Sequence, residues 1–100
     1  MKKLLLSLMA ILSVASIAAT KEGTGMGYKG DITVSVETEG EKIVAIKVLK
    51  MDETKRIAEP AIEKLTAEII AKQSTEVDDV AGATYTSQGF KEAVTDALSK

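Results

Sequence analysis

Asp31-Ile32-Thr33-Val34-Ser35-Val36-Glu37-Thr38 alternates between apolar and polar side chains. Ile32, Val34 and Val36 face one way, and Thr33, Ser35 and Glu37 the other. That is the pattern of a strand with one buried face. Glu39-Gly40 supplies a turn. Lys42 to Met51 continues as a second strand, with Val44, Ile46 and Val48 on one face and Lys47 on the other. The two strands make an antiparallel hairpin. A lone hairpin is not stable in water, so its apolar face calls for helices or further strands.

Downstream the period changes. Asp52 to Ile57 is a polar crossing. Pro60 suits the first residue of a helix, where its missing N–H is not needed. Ala58, Ile62, Leu65 and Ile69 follow helical spacing to about Ala71. Gln73 to Glu76 is a connector, and Thr75 to Val80 is compatible with either a strand or coil. A last helix is expected from about Gln88 to Leu98, with Phe90, Ala93, Val94, Ala97 and Leu98 as its buried stripe. Thr86 or Ser87 can serve as its N-cap. The fold class that follows is α+β: a small, mainly antiparallel sheet built on the N-terminal hairpin, with two helices packed on one face.

Upstream of the hairpin the composition is different. Lys2 and Lys3 precede an apolar run, Leu4 to Ala19, interrupted by three serines. Ser16-Ile17-Ala18-Ala19 offers small residues for cleavage. Residues 1–20 therefore read as a signal peptide, with an uncleaved membrane anchor as the alternative. The run is shorter than the roughly 20 apolar residues a spanning helix needs. Residues 21–30 carry Gly23, Gly25, Gly27 and Gly30 and read as a linker into the first strand. Gly23-Thr24-Gly25-Met26-Gly27 is not a dinucleotide fingerprint, which follows a strand and opens a helix. The folded domain is expected over 31–100.

Absences narrow the chemistry. The chain has no Cys, no His and no Trp, and three aromatic residues in all. Disulfides, thiolate nucleophiles and iron–sulfur ligation are excluded, and zinc sites and Ser-His-Asp catalysis lose their usual members. The net charge is −2, and −4 without Lys2 and Lys3. That balance argues against nucleic acid as a partner. Difficult chemistry in such a chain requires a cofactor.

Val77-Asp78-Asp79-Val80-Ala81-Gly82-Ala83-Thr84-Tyr85-Thr86-Ser87 points to the cofactor. Gly82 admits backbone conformations closed to other residues. Ala81 and Ala83 leave the Thr84 hydroxyl unshielded. The following helix directs unpaired N–H groups and a positive dipole end at the loop, which suits a phosphate. On these residues alone, a polar loop that caps a helix fits as well.

The segment resembles the flavinylation motif of the FMN-binding domain family, which includes the C subunit of the sodium-translocating NADH:quinone oxidoreductase. That pattern runs Asp-x-x-Ser/Thr-Gly-Ala-Thr, usually continuing x-Thr-Ser. Asp78, Gly82, Ala83, Thr84, Thr86 and Ser87 match it, and Ala81 stands where Ser or Thr is usual. Gly27-Tyr28-Lys29-Gly30 resembles the family's entry to its first strand, and Glu53-Thr54 its Glu-Thr pair after the second. The resemblance implies FMN joined by a phosphoester to Thr84. It also implies Gly82, Ala83, Thr86, Ser87, Glu53 and Thr54 around the cofactor, and Asp78 in the recognition signal for a separate flavin transferase. Tyr28 is a candidate for stacking on the flavin, whereas Phe90 fits the buried stripe better. Lys91 reads as a solvated residue or as a counter-charge to phosphate.

The expected function is an extracytoplasmic electron carrier, secreted or associated with the membrane or envelope. It has no substrate site of its own and so is not an enzyme by itself. Its expected partners are the flavin transferase and redox donor and acceptor proteins or a quinone-linked membrane complex. A noncovalent FMN binder and a cofactor-free secreted interaction domain are the alternatives.

Overall fold

The computed structural model describes residues 18–100. Three strands, β1 (Ala18–Met26), β2 (Asp31–Glu39) and β3 (Lys42–Met51), are followed by α1 (Lys55–Lys72) and α2 (Thr84–Leu98). The strands lie in the order β1-β2-β3, each pair antiparallel. α2 packs on β1 and β2, and α1 packs beside it towards β3. The architecture is the expected α+β, with the helices on the sheet's apolar face. Thr75 to Val80 adds no strand.

β1 is the main departure from the sequence reading. Lys21–Met26, expected as linker, forms most of a strand that pairs with β2 from Ala18↔Glu39 to Met26↔Asp31. Residues 1–17 of the expected signal peptide lie outside the described residues, and Ala18, Ala19 and Thr20 belong to β1. Glycine is a poor strand former by composition, but here it answers a need for space. A Cβ on Gly23 would stand 2.1 Å from the Ala93 carbonyl oxygen, and one on Gly25 2.1 Å from that of Gly89. The strand therefore meets α2 backbone to backbone. Its outer edge is occupied too: the Thr24 N–H donates to Asp96 Oδ2 (3.0 Å) and the Met26 N–H to Glu92 Oε1 (3.1 Å). These carboxylates, one helical turn apart on α2, satisfy edge groups that would otherwise invite another strand.

The hairpin forms where expected, with Gly40 at φ +62 in its turn. Ile32, Val34 and Val36 are fully buried. On β3 the buried set is shifted. Register breaks between Thr33 and Val34 and between Glu37 and Thr38 leave Leu49 and Val44 without direct partners. Ile43, rather than Val44, therefore joins Ile46 and Val48 against the core. A bulge moves every later side chain to the opposite face, which strict alternation does not anticipate.

α1 starts at Lys55, not at Pro60. The N–H groups of Ile57 and Ala58 donate to the Thr54 carbonyl (3.0 and 2.8 Å) and open the helix ahead of the proline. Pro60 thus sits inside α1, and the helix forgoes one bond, to the Arg56 carbonyl. Ala58, Ala61, Leu65 and Ile69 are buried, with Ile62 partly so. At the far end Gln73 takes φ 55 as the C-cap. Its side chain accepts the Ile43 N–H (2.7 Å) and donates to the carbonyls of Ile43 (2.9 Å) and Ile70 (2.7 Å). That residue pins the end of α1 to the outer edge of β3.

α2 buries Phe90, Ala93, Val94 and Ala97 as expected, with Leu98 partly covered. Burying a side chain of that kind contributes about 1.5–3 kcal/mol for the larger ones. Among the described residues, no helix is long and apolar enough to cross a membrane.

Candidate functional site

α2 begins at Thr84, four residues earlier than the sequence reading placed it. The turn before it is closed by the Ala83 N–H donating to the Val80 carbonyl (2.9 Å). Gly82 there takes φ +83 with open space around it, so glycine is needed for backbone conformation rather than for room. Ala83 is the N-cap and provides no side-chain cap, and the first turn contains no acidic residue. Thr84 is thus the first helical residue, and its side chain is exposed. It stands at the positive end of the helix with no side-chain oxygen capping the first-turn N–H groups.

Neither Thr86 nor Ser87 is the N-cap, because both lie within the helix. Ser87 is fully buried, and its Oγ accepts the Val80 N–H (2.9 Å), which fastens the loop to the helix. It does not line the cleft and is a structural residue. Thr86 is buried as well, and its hydroxyl donates to Glu53 Oε1 (2.8 Å).

Glu53 holds three donors at once. Besides Thr86, its Oε1 accepts the Tyr28 N–H (2.7 Å) and its Oε2 accepts the Lys29 N–H (2.7 Å). Burial pushes this carboxyl up. The bonds from Thr86, Lys29 and Tyr28, with the positive charge of Lys29, outweigh burial and hold it below the ordinary glutamate range. Its oxygens are therefore engaged with protein groups, and Glu53 shapes the site from behind. Thr54 is exposed beside it, and its hydroxyl makes no cap bond to α1.

These groups enclose a shallow cleft of about 230 Å³. Glu53, Thr54, Gly82, Ala83, Thr84 and Thr86 line it. Three more residues complete it. Tyr28, Tyr85 and Ile57 are exposed and present apolar surface, and the two tyrosine rings stack with centroids 5.8 Å apart and planes at 29°. The sequence reading had Tyr28 as a stacking candidate and missed Tyr85 and Ile57. Tyr85 fills the variable place between Thr84 and Thr86, and its large exposed ring was the available signal.

Two acids in the motif separate clearly. Asp78 is exposed and lies away from the cleft. Asp79 makes an ion pair with Lys91 (Oδ1–Nζ 2.7 Å) and accepts from Gln88 Nε2 (3.3 Å). The Lys91 bond is the main influence holding Asp79 below the usual carboxylate range. Lys91 Nζ also donates to the Val77 carbonyl (2.7 Å). Lys91 is therefore not a free surface charge; it anchors the segment before the turn. Among the described residues, no group of acidic, His or Cys side chains could hold a metal ion.

An uncapped helix N-terminus without competing acids fits a phosphate, and an exposed hydroxyl at its first residue fits an ester to it. The tyrosines and Ile57 fit a flat aromatic ring system. Cofactor pockets usually measure about 300–1,000 Å³, so a ring held here would remain partly exposed. The cleft thus has the character of an open site for a phosphate-bearing aromatic group.

The FMN-binding domain family matches residues 27–99, and the chain belongs to it. The chain is 41% identical over 76 residues to a urocanate reductase of Eggerthella lenta, covering 76% of this chain and 12% of that protein. It is 35% identical over 74 residues to an NADH:acrylate oxidoreductase of Vibrio harveyi, covering 74% of this chain and 7% of that protein. The chain thus spans a small part of these relatives. It is an FMN-binding domain related to flavin-containing reductases.

Proposed function

We propose that this chain is an electron-carrier module whose FMN is esterified to Thr84 and which works outside the cytoplasm. The observation that carries the reading is the placement of Thr84: an exposed hydroxyl at the first residue of α2, beside the cleft, with no side-chain cap. Thr84 Oγ1 forms the ester to the phosphorus of FMN as the phosphoanhydride of FAD breaks. AMP leaves, and the hydroxyl proton passes to the transferase or to solvent. Thr84 is therefore modified once and does not turn over. The N-terminal N–H groups of α2 would hold the esterified phosphate, since they favour negative charge. The bond also keeps the cofactor with its protein in a dilute compartment.

When bound, FMN supplies one- and two-electron transfer. The chain's own part is to hold the ring at an open cleft, where donors and acceptors can approach it. The two relatives are named as a reductase and an oxidoreductase, and this chain matches a small fraction of each. We infer that such a module feeds electrons to a reducing domain or complex and has no substrate site itself. Its maturation requires a flavin transferase, with Asp78, exposed ahead of the turn, in the recognised signal. Redox donor and acceptor proteins, or a quinone-linked membrane complex, are its working partners.

The test is co-production with a flavin transferase followed by denaturing chromatography. Flavin that stays with the chain supports the ester. Flavin released on denaturation would replace it with a noncovalent FMN site. A colourless protein under conditions that load a known acceptor would contradict both.

A further inference from the structure

We infer that Glu53 is a positioning residue: its carboxylate seats the turn between β1 and β2, so that the Tyr28 ring lies against Tyr85 at the cleft. The relevance to the flavin rests on the function proposed above, but the latch itself is a property of the polypeptide. Glu53 lies between β3 and α1, Tyr28 and Lys29 lie in the β1–β2 turn, and Thr86 lies on α2. Three bonds of 2.7–2.8 Å join these elements at one carboxylate. The turn has one backbone bond of its own, from the Gly27 N–H to the Gly30 carbonyl (2.8 Å). Gly27 leaves room for the carboxylate, since a Cβ there would stand 2.6 Å from Glu53 Oε1. Tyr28 itself is 71% exposed and Tyr85 63% exposed. Burial therefore does little to fix the Tyr28 ring, and its place depends on the backbone beneath it. An exposed aromatic pair contributes too little to order a loop unaided.

The chain has two tyrosines and no tryptophan. Tyrosine near-ultraviolet circular dichroism therefore reports on this pair alone. The experiment compares wild type, Glu53→Gln and Tyr28→Leu as flavin-free full-length chains. Gln keeps one acceptor oxygen and replaces the other with a donor, so one turn N–H then faces a donor. Tyr28→Leu removes the ring and keeps the backbone bonds, so it sets the signal of an unpaired Tyr85. The expected result is loss of the tyrosine band in Glu53→Gln to the Tyr28→Leu level, with far-ultraviolet dichroism unchanged. A folded Glu53→Gln protein with the wild-type band would overturn the inference, because a purely stabilising role lowers the melting temperature without moving that band. Should Glu53→Gln not fold, wild-type NMR decides. The Tyr28 and Lys29 amide protons are expected to shift together with the Glu53 carboxyl as it titrates beside Lys29. Amides indifferent to that titration would overturn the inference. Since every arm uses the flavin-free chain, failure here leaves the Thr84 ester to be judged separately.

Discussion

Gly25 and Gly89 touch through their backbones: a Cβ on Gly25 would fall 2.1 Å from the Gly89 carbonyl oxygen and 2.7 Å from the Ala93 nitrogen. A Cβ on Gly89 would in turn meet the end of β1, 2.7 Å from Gly27 Cα. This contact brings β1 flat onto α2 and so sets where the N-terminus of α2, with Thr84, stands relative to the Tyr28 turn.

Gly25→Ala should therefore destabilise the fold by more than the roughly 1–3 kcal/mol of ordinary overpacking, because the clash is with backbone. Gly30→Ala should be close to neutral, since nothing lies within 4 Å of its Cβ position. Denaturant unfolding of the two variants checks the contrast. Equal effects would show that β1 does not rest on α2 as described.

Ser87→Ala removes the acceptor for the Val80 N–H at a fully buried position. The expected loss is about 1–3 kcal/mol, the desolvation cost of an orphaned donor. Flavin should still load, since Ser87 does not line the cleft. Stability by urea titration and flavin content by absorbance separate the two effects. A stable variant that fails to load flavin would return Ser87 to the cofactor site.

Acid should weaken the fold through Glu53, Asp79 and Asp96. Asp96 is held low chiefly by the Thr24 N–H, with burial opposing and the Lys100 charge assisting. All three carboxyls bind their protons more weakly in the folded chain, from ordinary values of 4.5 for Glu53 and 3.8 for the aspartates. Their stabilisation is complete above those values and is lost as pH falls through the lowered folded ones. Denaturant unfolding at about pH 6 and about pH 3 measures the difference. An unchanged stability would mean that these bonds are not formed in solution.

The hairpin and the stripe on α2 were legible because apolar residues repeat there with periods of two and of three to four. Ile32, Val34 and Val36, and likewise Phe90, Ala93, Val94 and Ala97, stand where that patterning puts them. β1 was hidden because glycine carries no hydrophobic signal. The available clue was its period of two at Gly23, Gly25 and Gly27, which marks one strand face laid against another backbone. The bulges at Val44 and Leu49 were unreadable, because they depend on pairing across the hairpin rather than on local pattern. At the site, the Gly82-Ala83-Thr84 turn and Glu53-Thr54 could be picked out, and the structure brings them together. The bonds that occupy Glu53 join segments distant in the chain, and those of Ser87 and Lys91 depend on how the loop before α2 folds back on the helix; no residue pattern reports them.

The most direct test of the account is the intact mass of the full chain co-produced with a flavin transferase, compared with Thr84→Ala. Thr84 is exposed and caps nothing through its side chain, so the variant should fold with a melting temperature within a few degrees of wild type, the usual range for surface substitutions. The expected result is the added mass of one esterified FMN on the wild-type chain and none on Thr84→Ala. The same gain on both chains, or on neither while a control acceptor is modified, would contradict it.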